Sequence, residues 1–372
     1  MNQKTDQPLR ILHSEAAVAF GGQEHRIFKE MLAMRVRGHH MELVCRPEAI
    51  LGDRLQAEGF AVHRVAMGGI PNFVRGVAAI RRILRQGQFD VLNTHSRKDT
   101  LIAALAGRLA GTPLIVRTRH LASPIGSLLS YTWLPHKIVT VSNHVRSMVL
   151  DKGVDAARVR TIYSPVAEPV PVAHSTLRDE LGLRAEDTVL ICVAVMREKK
   201  GHLFLLETLK PLFAKYPGLH LVCVGSGSPT FENVDSFIQK NGLERQAHLM
   251  GYRKDIPNLL YGSDVFVLAT EQEASGTVYV EAQMCGLPVI GTDVGGVSEM
   301  FIPEETGFLV ESKNRVELAS ALERLVSSEP LRKQMGLAAV NWLQVEGRFS
   351  LDRLVKDTES AYHQWLQEKA EK

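Results

Sequence analysis

The stretch EQEASGTVYVEAQMCGLPVIGTDVGG, residues 271–296, sets two glutamates eight positions apart around a Ser-Gly-Thr turn. The preceding run DVFVLAT reads as a buried strand, and LPVIGTD reads as another. Between them TVYVEAQMCG suits a short helix that stops at Gly286. Glu273 then falls after a strand, Ser275 and Gly276 at a helix mouth, and Glu281 about one turn inside. A helix mouth carries unpaired N–H groups and the positive end of the helix dipole, so it suits an anion.

Working outward, the same alternation fills the chain. RILHSE, MELVCR, AVHRVAM, VLNTHS, LIVRTRH, KIVTVS and VRTIYS read as strands, separated by amphipathic stretches such as GVAAIRRILRQ and TLIAALAGRLAG. SPVAEPVPVAHS carries three prolines and no helical period, so it reads as a linker. The pattern restarts with TVLICVAVM, HLVCVGSG, AHLMGY, DVFVLAT, LPVIGTD and GFLV, and the chain closes on a long helical pattern from residue 351. Short β-rich runs alternating with helices predict parallel sheets covered on both faces. With 372 residues, two doubly wound α/β domains are expected. Their bounds are 1–168 and 169–345, with a C-terminal helix at 346–372 packing back on the N-terminal domain.

The 45% hydrophobic and 23% charged content is that of a soluble globular protein. The polar start MNQKTDQPLR lacks a secretory core, and no apolar run approaches 18 residues, so a cytoplasmic protein is expected. Cys45, Cys192, Cys223 and Cys285 lack metal-ligand spacing and read as reduced thiols. The net charge of +3 hides an asymmetry: residues 1–165 carry 23 Lys+Arg and 12 Asp+Glu, and the remainder is acidic. A basic half suits an anionic membrane surface or a phosphorylated acceptor. Nucleic acid is disfavoured, because aromatics total 6% and are not interleaved with the basic residues.

Ligands of open α/β sheets collect beyond the carboxyl ends of the strands. Gly21-Gly22, His95, His120, Met196-Arg197 and Glu273 all fall at such ends. A Gly-Gly pair alone is a plain turn as readily as a phosphate contact. Arg197, Lys199 and Lys200 precede Gly201 and an apolar helix, where cations can meet a diphosphate or form an ordinary solvated loop. There is no GxxxxGK[ST] and no complete GxGxxG, which disfavours a nucleoside triphosphatase and a dinucleotide dehydrogenase. There is no Asp-x-Asp pair to carry a metal, so any diphosphate would be held by Lys, Arg and backbone N–H groups.

EASGTVYVEAQMCGLPVIGTDVGG resembles the Glu-x7-Glu signature of retaining GT-B glycosyltransferases of family 4. Gly276, Glu281, Cys285-Gly286 and Pro288-Val289 match, while Ala274 and Thr277 stand where the family has glycine and leucine. GGQEH, VSNHVR, KKGH and GYRKDIPNLLYGSDVFVLAT extend the likeness over nearly the whole chain. The resemblance implies a GT-B fold, two Rossmann-like domains facing across a cleft. It further implies transfer of a hexose-type sugar from a UDP- or GDP-linked donor to an acceptor hydroxyl, with retention and with no metal cofactor required. Glu281 would take the ribose hydroxyls, the N–H groups of Ser275, Gly276, Thr277 and Val278 the diphosphate, and Glu273 the donor sugar. Lys200 would contact diphosphate oxygens, Gly21 and Gly22 the N-terminal glycine loop's ligand, Tyr252 and Arg253 the base, and His120 the sugar. The family's arginine five residues before the lysine is Val195 here, and Arg197 is expected to substitute.

The acceptor is expected to be a glycolipid, lipopolysaccharide-type or other saccharide of the cell envelope. Arg75, Arg81, Arg82 and Arg85 around an apolar helix stripe, with Tyr131, Trp133 and Lys137 near a possible interface, favour peripheral docking on an inner membrane face. A sugar-nucleotide epimerase and a non-catalytic nucleotide-sugar sensor of the same fold are the alternatives.

Overall fold

The computed structural model describes residues 7–371. Seven strands form the first sheet: β1 (Arg10–Glu15), β2 (His40–Cys45), β3 (Ala61–Arg64), β4 (Val91–Thr94), β5 (Leu114–Arg119), β6 (Lys137–Thr140) and β7 (Val159–Thr161). Six form the second: β8 (Thr188–Val193), β9 (Leu219–Val224), β10 (Ala247–Leu249), β11 (Val265–Leu268), β12 (Val289–Thr292) and β13 (Gly307–Val310). The orders are β3-β2-β1-β4-β5-β6-β7 and β10-β9-β8-β11-β12-β13, and the neighbouring strands pair in parallel. Both are doubly wound, with the order reversing beside β1 and β4 in one and beside β8 and β11 in the other. Ligand crevices of such sheets open at that reversal.

The strands carry long runs of Val, Ile and Leu because helices cover both faces. β11 and β12 are buried at every position. So is β5, although its sequence LIVRTR is half polar. The proline-rich stretch 164–175 forms no helix or strand.

The chain divides into two compact units, one running to Pro165 and resuming at Arg348, the other Val166–Gly347. The helix Leu351–Ala370 thus belongs to the first unit. It lays Leu354, Val355, Ala361, Tyr362 and Trp365 against Ile27, Met31 and Met34 of the helix Gly22–Val36. Asn93 of β4 donates from Nδ2 to the Tyr362 hydroxyl at 2.9 Å, which satisfies a fully buried phenol. Burial of an aromatic side chain of this kind stabilises by about 3–5 kcal/mol, judged by what truncation to alanine costs.

Candidate functional site

In the second unit the loops after β8 and β11 are stitched together. The β8 loop ends in one 3-10 turn, Glu198–Lys200, followed by Gly201 in a left-handed conformation at φ +72°. A Cβ at Gly201 would be driven into the carbonyl oxygen of Ala269, just past β11. Only glycine combines that φ with that approach. Glu271 N–H donates to Lys199 O at 2.7 Å and the Thr270 hydroxyl to the same oxygen at 3.1 Å. The result is that Lys200 Nζ lies 2.5 Å from Glu273 Oε2, both side chains about one-fifth exposed.

A second glycine fixes Glu273 from the other side. Gly295, at φ +60°, packs where any Cβ would strike the Glu273 carbonyl. Gly296 N–H donates to that carbonyl at 3.2 Å. The helix Thr277–Met284 begins directly afterwards, capped by Gly276. Its first N–H groups lack intrahelical acceptors. Ser275 turns its hydroxyl toward Met300 Sδ at 3.5 Å, so its side chain is committed to the interior while its backbone remains at the helix mouth. Tyr279 anchors the helix, fully buried, with its hydroxyl on Leu268 O at 2.8 Å. Glu281 is half-buried on the second turn.

Arg197 is exposed at the end of the β8 loop, beyond buried Met196, and Val195 is 54% exposed. Tyr252 presents an open ring at 71% exposure. The Arg253 guanidinium is taken by Glu180 at 2.8 Å and Asp255 at 2.6 Å, so this residue reaches a ligand through its backbone only.

The corresponding strand ends in the first unit carry a different set. His13 Nδ1 lies 2.8 Å from His95 Nε2, and His95 Nδ1 lies 3.0 Å from His120 Nε2. All three rings are buried. Burial and the Arg26 charge push His13 down to about 3, and burial holds His95 and His120 well below the usual histidine range. Three neutral imidazoles can share two hydrogen bonds in only two directions. His13 Nε2 is buried without a partner. A bare nitrogen there costs less than an orphaned N–H. Protons therefore point from His13 through His95 to His120, leaving His120 with its hydrogen on Nδ1. It is a neutral hydrogen-bond donor, not a source of positive charge.

Glu15, at the end of β1, is pushed up to about 8, first by burial and then by the nearby Asp99 charge. It accepts from Ala17 N–H at 2.8 Å and from the Gln23 amide. Gly21 caps the helix Gly22–Val36, and its N–H is already taken by Glu24 Oε2 at 2.8 Å. Space around Gly22 is open.

Residues 174–342 match the family described as Glycosyl transferases group 1, and residues 20–168 match Glycosyltransferase Family 4. The chain belongs to glycosyltransferase family 4. Among curated relatives, this glycosyltransferase is 24% identical over 357 residues to the UDP-Gal:alpha-D-GlcNAc-diphosphoundecaprenol alpha-1,3-galactosyltransferase of Escherichia coli, covering 88% of this chain and 91% of the other. Among solved structures, a glycosyltransferase of Rickettsia africae superimposes with a TM-score of 0.88 at 24% identity, covering 96% and 99% of the two chains. HepE of Anabaena in complex with UDP does so with a TM-score of 0.83 at 20% identity, covering 95% and 99%. The GT-B fold follows.

Within this glycosyltransferase, Lys200, Glu273 and the helix mouth from Ser275 to Val278 come together in one unit. His120 belongs to the other, joined to His95 and His13. Sequence reasoning missed the stitching roles of Gly201 and Gly295, although both lie inside quoted motifs, KKGH and GTDVGG. Tyr131 was expected near an interface and is instead a core residue, 2% exposed, because the Arg117 guanidinium stacks 3.8 Å from its ring centroid. Lys137 is likewise committed, its Nζ 2.6 Å from Glu368.

Proposed function

We propose that this glycosyltransferase moves a hexose-type sugar from a UDP- or GDP-linked donor to a hydroxyl of a cell-envelope glycolipid or lipopolysaccharide-type acceptor, with retention and without a metal. The observation that carries the donor half is the Lys200–Glu273 pair held beside the open helix mouth at Ser275–Val278. The Escherichia coli relative, named for a UDP-sugar donor and a diphosphoundecaprenol-linked acceptor, supports the choice of substrates, as does the UDP bound to HepE.

Departure of the diphosphate leaves negative charge on its oxygens and positive charge on the sugar. Lys200 and the N–H groups of Ser275, Gly276, Thr277 and Val278 would meet the first, preset so that they act more on the transition state than on the ground state. Arg197, exposed and without an ion pair among the described residues, would serve as the second cation in place of the one lost at Val195. Glu273 would accept from donor-sugar hydroxyls and Glu281 from the ribose. Tyr252 and the Arg253 backbone would border the base. Gly21 and Gly22 would contact the donor from the glycine loop, with Gly22 the more open of the two. His120 would donate from its neutral ring to the sugar, a role that needs no titration.

In the absence of donor Lys200 rests on Glu273. The side chains are about one-fifth exposed, and a diphosphate would replace the carboxylate with another anion, so Lys200 stays paired through the exchange. Turnover of a labelled nucleotide sugar should survive EDTA, and NMR of the product should show the donor's anomeric configuration. Activity abolished by EDTA and restored by Mn²⁺, or an inverted product, would refute the mechanism. A thermal-shift screen over UDP-, GDP- and ADP-sugars identifies the base, because donor binding raises the melting temperature by mass action.

Docking on a membrane surface is the finer part of the proposal. Among the described residues no helix is long and apolar enough to cross a membrane. The helix Gly69–Gly87 buries Val77, Ile80 and Leu84, while its first turns leave Ile70 85% and Val74 64% exposed, with Phe73 beside them. Arg75, Arg82 and Arg85 are exposed on the flank, and Arg81 donates to Leu109 O. An apolar tip with basic flanks suits an anionic interface. Sedimentation with vesicles should rise with anionic lipid content and fall for Ile70→Ser; insensitivity to both would remove this part.

A further inference from the structure

The first unit carries an open pocket of about 220 Å³ at the ends of β4 and β5, lined by Arg97, Arg117, Arg119, His120, Ser123 and Ser127 among others. Arg117 and Arg119 are 5% and 6% exposed, yet neither forms an ion pair among the described residues. Arg117 donates to Ser130 O at 3.0 Å and to the Ser130 hydroxyl. Arg119 donates to the Tyr131 hydroxyl and to Ser123 O. Every one of these acceptors is neutral. Each guanidinium also keeps a buried Nε–H with no acceptor among the described residues.

The surrounding charges do not balance them. Arg97 is a third cation on the same wall and is exposed. His95 and His120 are neutral. Asp99 attracts Arg117 through space, but its carboxylate is spent on accepting from His95 N–H at 2.9 Å, Ser96 N–H at 2.7 Å and the Ser96 hydroxyl. An uncompensated buried charge costs several kcal/mol. Arg117 and Arg119 stand at alternate positions of one central strand, facing the pocket, with the single carboxylate of Asp99 set against them and Arg97.

We propose that this cavity binds a phosphoryl group carried by the acceptor. A tetrahedral oxyanion offers three oxygens to three guanidinium groups and the Ser123 and Ser127 hydroxyls, and arginine matches phosphate in paired hydrogen bonds. At about seven water volumes, the cavity holds that group with part of its sugar. Calling the ligand the acceptor rests on the transferase reading above; the anion site itself does not.

The probe is inorganic phosphate, titrated calorimetrically into the full chain. Wild type should bind it, Arg119→Gln should weaken it at least tenfold, and the fold-neutral Arg97→Gln about three- to tenfold, while Lys200→Ala should leave it within twofold. Affinity unchanged in a folded Arg97→Gln, or lost only in Lys200→Ala, overturns the proposal. With a sugar 1-phosphate, a polyprenyl diphosphate-linked sugar and the matching methyl glycoside as acceptors, Arg97→Gln should raise KM for a phosphorylated one alone, and which one names its source. An equal rise for all three overturns it. A wild type that binds phosphate through Arg97 yet transfers no sugar from any donor overturns the word acceptor and leaves the anion site standing.

Discussion

The loops after β8 and β11 and those after β1, β4 and β5 occupy the same topological place in two sheets of the same winding, yet they are built on opposite principles. In the second unit Lys200 and Glu273 neutralise each other in partial contact with solvent, and their positions come from backbone, through Gly201 and Gly295. In the first, histidines are stripped of charge, Glu15 is held protonated at neutral pH, and Arg117 and Arg119 stay unpaired in the interior. A site whose charges pair internally is inexpensive to keep and easy to rearrange. A site of buried, unmatched charge costs stability, and only a ligand of the opposite sign gives that cost a purpose.

Four substitutions test the contrast. Lys200→Ala should lower kcat by about 10²–10³, the scale of losing one preset donor. Its melting temperature should fall modestly, because Glu273, about one-fifth exposed, is left without its cation. A large stability loss measured on the same sample would erase the distinction between the two sites. Gly201→Ala should cost about 1–3 kcal/mol by steric conflict with the Ala269 carbonyl and lower kcat as well, since the loop carrying Lys200 must shift; calorimetry alongside turnover reads both. Glu281→Ala should raise the donor KM about tenfold while kcat stays within about threefold, as expected for a contact equal in ground and transition states.

The fourth test is a pH signature in the first unit. Glu15 has a folded pKa of about 8, above the ordinary 4.5. The folded state therefore holds a proton that the unfolded chain has released across that window, and wild-type stability falls as pH rises through it. Glu15→Gln removes that dependence. Its melting temperature should gain on the wild type from about pH 4.5 toward 8, and the two should converge below 4.5. A constant offset across that range would show that the carboxyl is ionised in the fold.

Much of this was legible in the sequence. β1 and β13 match the expected runs RILHSE and GFLV, and the helix Thr277–Met284 starts and stops at Gly276 and Gly286 as the turn residues demanded. Strands such as β3 are shorter than their apolar runs, because VAM after Arg64 leaves the sheet to enter the next helix. What remained hidden depends on partners distant in sequence. Gly201 looks like a helix punctuation mark until Ala269 is seen beside it. The pairing of Arg253 with Glu180 spans 73 positions. The strongest missed signal was LIVRTRH itself: arginines two apart in a strand that should be apolar on both faces mark a buried polar site, and only the end residue, His120, drew notice.

The helix Leu351–Ala370 completes the core of a unit whose strands all precede Val166. As the protein emerges from the ribosome, Val166–Gly347 is whole before its predecessor is. The sheet that precedes it in the chain must wait, with the apolar surface around Ile27 and Met31 uncovered, until Leu351–Ala370 has been translated. A nonsense codon just before Leu351 would then strike the unit that had been translated earlier, not the one beside it in the chain.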